Sequence, residues 1–291
     1  MTWILFGLLT ACGSAGTSLM LKRTVALGDA VLSTIGFRLV AAVLLALVVT
    51  AAKAWHPATP AYWQTLAILM VPEIGGMLFL TLALRGGDVS RVQPIAGLLP
   101  IFVTINGILF ANEIPTPLAA LGIALVALGI YTVGLRRGHS LLEPLRALAN
   151  HRASWYAVLS SVFWSVTPFL HKRGGAEVGP LMWSMSVAGA SGVVLALAFG
   201  FVHTATLPPP PARTRWLAMV AATAVPFCLQ VTTLLFALQR SQSGYVLALS
   251  STSTLIATVG AVLLFGERGG AARIPGAALV TAGAALIALA G

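Results

Sequence analysis

The chain contains 291 residues, of which 58% are hydrophobic and only 8% are charged, and its formal net charge is +10. Because soluble domains carry about 25% charged residues, this composition excludes an ordinary water-soluble globular fold. In a soluble protein such a charge would favour nucleic-acid binding, but here the basic residues fall in short loops between apolar segments. Membrane lipids, and not nucleic acid, are therefore the expected partners of these residues.

Ten apolar segments follow one another along the chain. At a rise of 1.5 Å per residue, about 20 helical residues cross the roughly 30 Å of hydrocarbon in a bilayer. We therefore predict an all-α polytopic membrane protein with ten transmembrane helices. Lys22-Arg23 follow the first segment and no basic residue precedes it, so it is predicted to be a span and not a cleavable signal peptide. The predicted spans are 3–21, 30–51, 61–84, 91–111, 116–135, 154–171, 179–202, 215–238, 244–265 and 275–290.

The second half of the chain repeats the first at a nearly constant offset. Most matches have an offset of 154 residues, and those near the first span have an offset of 150 to 152 residues. The matched positions are Pro72 with Pro226, Glu113 with Glu267, Gly122 with Gly276, Gly129 with Gly283, Trp3 with Trp155, and Lys22-Arg23 with Lys172-Arg173. Five spans in each half is an odd number, so the halves enter the membrane in opposite orientations, a design associated with alternating access. We predict a first five-helix repeat at 1–135, a connecting loop at 136–153 and a second five-helix repeat at 154–291.

Glu73, near the middle of the third span, is the main candidate for function. A carboxylate at that depth is costly unless it faces a polar cavity, finds a partner or is protonated. It is predicted to bind a cationic group of the substrate or to carry the coupling proton. Alternatively, it pairs with Arg38 of the second span and only holds two helices together. Arg38 could also extend to the membrane surface or bind a substrate carboxylate, and the repeat places Phe227 opposite Glu73.

Other candidates are polar or aromatic residues deep within the spans. Trp164 is too deep to be an interfacial anchor, so it is predicted to face a substrate cavity, unless it fills a contact between helices. Side-chain amides and hydroxyls are predicted to form part of the cavity wall, although hydroxyls in transmembrane helices often bond to their own backbone. These candidates are Gln93, Gln230, Ser14, Ser250 and Ser253.

Prolines and glycines indicate how the helices bend and pack. Pro72 and Pro226 occupy matching places in the repeat, so paired kinks at these residues are predicted to act as hinges. The matched glycines of the fifth and tenth spans are seven residues apart and share one helix face, which predicts close packing between helices.

The sequence shows no enzyme signature. It contains no Gly-x-x-x-x-Gly-Lys-Ser/Thr phosphate loop, and its five histidines are scattered without metal-ligand spacing. No metal site and no cofactor are expected, and the protein is not predicted to be an enzyme. A membrane-embedded lipid-modifying enzyme would need a His/Asp or Ser/His cluster at one interface, which the sequence does not show. A structural subunit without transport activity is a further alternative.

The stretch from Leu80 to Gly134, which includes Pro100 and Glu113, resembles the repeating unit of EamA transporters of the drug/metabolite transporter superfamily. The stretch from Leu234 to Gly283 resembles a second copy. The resemblance implies ten helices in two inverted repeats, with a central cavity lined by helices 1 to 4 and 6 to 9, and helices 5 and 10 at the back. It also implies transport of amino acids, other metabolites or drugs, often outward and often coupled to protons.

These observations predict a secondary transporter that exports an amino acid or related metabolite across the bacterial inner membrane by alternating access, with proton coupling through Glu73 left open. Transport of an organic cation or drug recognised by Glu73 and aromatic residues is the alternative. Twelve basic residues lie in the loops after odd-numbered spans, and four lie in the loops after even-numbered spans. The positive-inside rule therefore predicts that both termini are outside the cell. The family resemblance implies instead that both termini are cytoplasmic. A monomer and a homodimer are both left open.

Overall fold

The computed structural model of the chain is helical, with no strand among the residues that it describes. This confirms the all-α class. The predicted spans at 91–111 and 244–265 lie partly outside the described residues, so the count of ten transmembrane helices stays a prediction. The described residues are 2–86, 99–134, 152–200, 207, 210–253, 255–257, 260 and 274–290.

The helices coincide with the predicted apolar segments. Five described segments are long and apolar enough to cross a membrane: Thr2–Leu27, Ala30–Ala51, Pro60–Leu80, Ser154–Phe199 and Ala212–Leu238. Shorter apolar helices occupy Leu99–Phe110, Pro117–Gly129 and Ala278–Ala290. In chain order the α-helices are α1 (Thr2–Leu27), α2 (Ala30–Ala51), α3 (Pro60–Gly86), α4 (Leu99–Phe110), α5 (Pro117–Gly134), α6 (Arg152–Leu195), α7 (Pro210–Leu238), α8 (Ser243–Ser250) and α9 (Ile274–Ala290). A π-helical turn at Ala196–Gly200 continues α6.

The predicted sixth and seventh spans are two arms of α6, which is broken at Gly179. Gly179 has φ 76° and ψ 153°, a conformation that only glycine adopts readily. Pro180 follows, and a proline disfavours the helical conformation in the residue before it. The chain therefore reverses at a single residue, and the short loop expected between the two spans is helical. The first arm comprises residues 152–178 and the second arm residues 180–195.

Several helices extend beyond the apolar segments. Lys22 and Arg23 lie inside α1, and Arg85 lies inside α3, where the sequence had predicted loops. The reversal after α1 is sharp, because Asp29 accepts hydrogen bonds from the backbone N–H of Val31 at 2.8 Å and of Leu32 at 2.9 Å. This side-chain cap satisfies free N–H groups at the start of α2.

The helix contacts between the two repeats come in matched pairs. α1 packs along α7, and the first arm of α6 packs along α3 in the same way. Matched hydrogen bonds accompany these pairs: Trp216 Nε1 donates to Ser33 Oγ, and Tyr62 Oη donates to Ser186 Oγ, each at 2.8 Å. Tyr62 and Trp216 are 154 residues apart, and Ser33 and Ser186 are 153 residues apart. One aromatic-to-serine contact is therefore used twice, in positions that the sequence repeat relates.

The matched glycines of α5 and α9 let these two helices touch backbone to backbone. A Cβ atom at Gly122 would lie 2.7 Å from the carbonyl oxygen of Gly283. A Cβ atom at Gly129 would lie 2.7 Å from the carbonyl oxygen of Gly276. The packing function predicted for these glycines is confirmed.

Candidate functional site

Arg38 and Glu73 meet in the interior of the helical bundle. Arg38 lies in α2, nine residues after the Asp29 cap, and Glu73 follows Pro72 in the middle of α3. Both Arg38 Nη1 and Arg38 Nη2 donate to Glu73 Oε1 at 3.0 Å. The two side chains are only 10% and 13% exposed. The pairing that the sequence left as one alternative is thus present, and it places two opposite charges together away from bulk solvent.

The arginine also contacts the second half of the chain. Its Nη1 donates to Ser191 Oγ at 2.6 Å, and Ser191 in turn donates to the carbonyl oxygen of Val187. The guanidinium carbon lies 5.4 Å from the centre of the Phe227 ring, within cation–π range. Ser191 is 153 residues after Arg38, and Phe227 is 154 residues after Glu73. The ion pair therefore lies where equivalent positions of the two repeats face each other.

The pair does not use all its hydrogen-bonding capacity. Arg38 Nε is buried and has no hydrogen-bond partner among the described residues. Within the same part of the chain, Glu73 Oε2 makes no hydrogen bond, because both bonds to the carboxylate end on Oε1. A buried N–H group without a partner is unfavourable and unusual in native structures. The pair's own hydrogen bonds therefore use neither Arg38 Nε nor Glu73 Oε2.

Trp164 lies close to the ion pair in the fold. Its indole covers Gly76, since a Cβ atom there would lie 2.6 Å from Trp164 Cδ1. Ser160, one turn earlier in α6, donates to the Gly76 carbonyl oxygen at 2.7 Å. Gly76 is three residues after Glu73, so the two share one face of α3. Trp164 is half-buried and packs about one helical turn from the carboxylate.

Gln230 and Ser14 lie in the matching contact between α7 and α1. A Cβ atom at Gly13 would lie 2.6 Å from the backbone nitrogen of Gln230, which is 154 residues after Gly76. Gln230 and Ser14 are both half-buried. In one contact the glycine is on α1 and in the other it is on α3, so a small residue of the first repeat faces a larger one of the second repeat in both. The predicted site residue Gln93 lies outside the described residues.

Five consecutive hydroxyl residues, 250–254, begin at the end of α8, and the described ones bond mainly to their own backbone. Ser250 is buried and donates to the carbonyl oxygen of Val246 at 2.7 Å, and Ser251 and Thr252 donate in the same way to Leu247 and Leu249. Ser253 is half-buried just beyond α8. These bonds are the structural alternative considered for the run, and a cavity-wall function for Ser250 and Ser253 stays a prediction.

Pro72 and Pro226 lie inside α3 and α7, where each proline removes a backbone hydrogen bond. The ring of Pro226 packs against α1, because a Cβ atom at Gly16 would lie 3.0 Å from Pro226 Cβ. Their function as hinges stays a prediction.

Sequence reasoning missed His171. It had placed this residue at the end of a span, but α6 continues to the break at Gly179, and His171 is 6% exposed. Trp183 Nε1, from the second arm of α6, donates to His171 Nδ1 at 3.2 Å. No local sequence signal identifies this contact, because it depends on the chain reversal at Gly179.

Known proteins share the fold and the family of this chain. A crystal structure described only as that of a protein superimposes with a TM-score of 0.78 over 99% of this chain and 96% of that chain, at 18% sequence identity. No curated protein sequence matches the chain. The apolar helices and the tandem repeat are those of a multi-pass membrane transporter of the drug/metabolite type. The chain belongs to the EamA-like transporter family, whose model matches residues 1–135 and 151–289. This family consists of transporters and not of enzymes, which removes support from the lipid-modifying alternative.

Proposed function

We propose that the protein is a secondary active transporter that exports a small zwitterionic solute, an amino acid or related metabolite, across the bacterial inner membrane. The observation that supports this function is the buried Arg38–Glu73 pair, with its free Nε donor and free Oε2 acceptor. Two opposite charges in one place match the ammonium and carboxylate groups of an amino acid.

The energetics of a buried ion pair favour a zwitterion over a simple cation. If a cation displaced Arg38 from Glu73, the guanidinium would lose its counter-charge in a poorly hydrated environment, which is strongly unfavourable. A zwitterion supplies an ammonium group to Glu73 and a carboxylate to Arg38, so neither charge is left alone. Arginine suits this task because its planar fork binds a carboxylate through two parallel hydrogen bonds. An organic cation or drug therefore remains the second choice.

In this proposal the residues around the pair complete the substrate site. Trp164 offers an aromatic surface one turn from Glu73. The remaining polar groups would line the path on the α1, α7 and α8 side: Ser14, Gln230, Ser250 and Ser253. Gln93 lies outside the described residues and stays a predicted member of the site.

Alternating access follows from the matched construction of the two halves. In the proposed inverted repeat, the Tyr62–Ser186 and Trp216–Ser33 bonds lie near the starts of α3 and α7, on opposite membrane faces. Such related contacts allow the two halves to exchange conformations around a central site. Pro72 and Pro226 would then be the points at which α3 and α7 bend.

Proton coupling through Glu73 is compatible with this cycle only if Arg38 moves or gains another partner. Protonation of Glu73 with Arg38 at 3.0 Å would leave a buried guanidinium charge without compensation. We therefore propose that proton uptake at Glu73 accompanies binding of a substrate carboxylate to Arg38.

A thermal-shift panel on the purified protein tests the proposed substrate class. Amino acids, choline-like amines and simple carboxylates are compared on the wild type, on Glu73→Gln and on the control Glu177→Gln. Stabilisation by amino acids in the wild type and the control, and not in Glu73→Gln, is the expected result. Stabilisation by amines alone would identify the organic-cation alternative and contradict zwitterion recognition.

A further inference from the structure

Glu113 joins the two repeats at one face of the bundle. It follows α4, and its side chain is 13% exposed. Its Oε2 accepts the backbone N–H of Ser243 at 2.6 Å, and its Oε1 accepts the Ser243 hydroxyl at 3.2 Å. The ammonium group of Lys172 also donates to Oε1. One carboxylate of the first repeat therefore binds two separate elements, α6 and α8, of the second repeat.

Neighbouring hydrogen bonds cross the same boundary. Gln242 Nε2 donates to the carbonyl oxygen of Ile114 at 3.2 Å, and the backbone N–H of Thr116 donates to Tyr245 Oη at 3.0 Å. Within the second repeat, Gln239 Nε2, next to the end of α7, donates to the Lys172 carbonyl oxygen at 2.8 Å and so holds α6 beside α7. The 110–116 connection is thus held to the second repeat by side-chain and backbone groups together.

The local sequence positions the carboxylate for this task. Asn112 takes a left-handed conformation with φ 54°, which turns the chain after α4, and the Glu113 N–H donates to Gly107 O at 2.9 Å. α8 begins without a cap of its own, since Gln242 at its N-cap position makes no side-chain cap bond. Glu113 supplies the missing acceptor from the other repeat. A carboxylate at a helix N-terminus is favourable because the free N–H groups there carry partial positive charge.

We propose that Glu113, Lys172 and Ser243 form an inter-repeat latch that closes the transport path at this membrane face and opens during the cycle. The latch presupposes the transport function proposed above. The face is the one at which α1 begins, because Trp3 packs 6.3 Å from Tyr245. Separation of α4 from α8 would break the contacts of Glu113 with α8 and expose the carboxylate to water, where a surface ion pair contributes little. When the latch is closed, the same groups are largely shielded from water and hold the two repeats together.

The repeat places Lys22 and Glu267 at positions equivalent to Lys172 and Glu113. Glu267 lies outside the described residues, and the latch is built only from the described cluster.

Side-resolved cysteine labelling tests the latch. Thr104 of α4 lies at the seam with α8, since a Cβ atom at Gly244 would lie 2.6 Å from Thr104 Oγ1. A Thr104→Cys probe is placed in a background with Cys12 and Cys228 replaced by serine. A membrane-impermeant maleimide is then applied to right-side-out and inverted vesicles without substrate. Glu113→Gln and Lys172→Gln are compared with the parent. Glu177→Gln is the control, because Glu177 lies at the same face and its cation, Arg173, is exposed. Glu177 accepts a hydrogen bond from Thr59 Oγ1 of the first repeat at 3.1 Å, and the glutamine amide oxygen can still accept it.

Loss of charge-assisted hydrogen bonds should raise the labelling rate at least about tenfold from one face only, for both latch variants. The control should change it by less than about twofold. Unchanged labelling in either correctly folded latch variant would overturn the latch. So would an equal increase from both faces together with a lower melting temperature, which indicates general loosening. Because no substrate is added, failure here is distinguishable from failure of the proposed substrate class.

Discussion

Arg38 and Glu73 share a single oxygen: both terminal nitrogens of the arginine donate to Oε1 at 3.0 Å, and Oε2 is left without a hydrogen bond among the described residues. A pair with only a helix-joining function would gain more from a two-oxygen fork, the geometry that carboxylate and guanidinium favour. The one-sided arrangement leaves Oε2 and the buried Nε out of the pair's own hydrogen bonds.

Replacing one or both members of the pair separates structural from functional importance. Glu73→Leu alone should destabilise the protein by about 3–5 kcal/mol, because it leaves a buried guanidinium without its counter-charge. The double variant Arg38→Met/Glu73→Leu should recover most of this loss, since apolar replacement of a buried pair is often neutral. Chemical denaturation in mild detergent measures both. Equal destabilisation by the single and double variants would show that the charges do not depend on each other.

Arg38→Lys tests the importance of the guanidinium fork. Lysine keeps the positive charge but offers a point charge in place of two parallel donors. We expect substrate affinity to fall about tenfold or more, with folding retained. The dissociation constant of the solute found in the thermal-shift panel is the quantity to measure. Wild-type affinity in Arg38→Lys would contradict carboxylate binding by the arginine fork.

Gly76→Ala should act through Trp164. The added methyl group would lie 2.6 Å from the indole, so the tryptophan or the helix must move, at a cost of about 1–3 kcal/mol. Combination with Trp164→Ala should remove the clash, and the double-mutant cycle should therefore show a coupling of the two sites. Thermal unfolding of the four proteins measures it. Additive effects would mean that Trp164 does not pack on Gly76.

Gly122→Ala should destabilise the contact between α5 and α9 without affecting substrate recognition. The new Cβ atom would lie 2.7 Å from a backbone oxygen, which cannot move aside as a flexible side chain can. The exposed neighbour Leu121, changed to Ala, serves as the control. A lower melting temperature with unchanged solute affinity is expected for Gly122→Ala. A loss of affinity without a loss of stability would assign this seam a direct function in binding.

Topology needs a direct measurement, because the charge distribution and the family resemblance disagree. A pH-sensitive reporter fused to the C-terminus, with an alkaline-phosphatase fusion for comparison, reports the location of that terminus. The charge count predicts an external C-terminus. A cytoplasmic signal would instead agree with the resemblance and would place the Glu113 latch at the cytoplasmic face.

The sequence predicted the helical class, the repeat and the residues of the central pair, because all three can be seen in the order of residues without knowledge of which helices touch. A charged residue within an apolar segment is conspicuous, and Arg38 and Glu73 are such residues in the second and third spans. Ser191 was not predicted as a partner of Arg38, because nothing in its neighbourhood shows that α2 and the second arm of α6 touch. The sequence repeat matched Glu113 with Glu267 and Lys172 with Lys22. The contact between Glu113 and Lys172 was not predicted, because it depends on the packing of one repeat against the other. His171 was missed for the related reason that the helix continues past the apolar segment.

Counterflow of a radiolabelled amino acid in proteoliposomes, with the wild type and the stable double variant Arg38→Met/Glu73→Leu, is the most direct test of recognition at the central charges. We predict that the wild type exchanges the labelled amino acid. We predict that the double variant, at wild-type stability, exchanges it no faster than empty liposomes do. Undiminished exchange by the double variant would show that the solute binds elsewhere and that the two charges only hold α2 and α3 together.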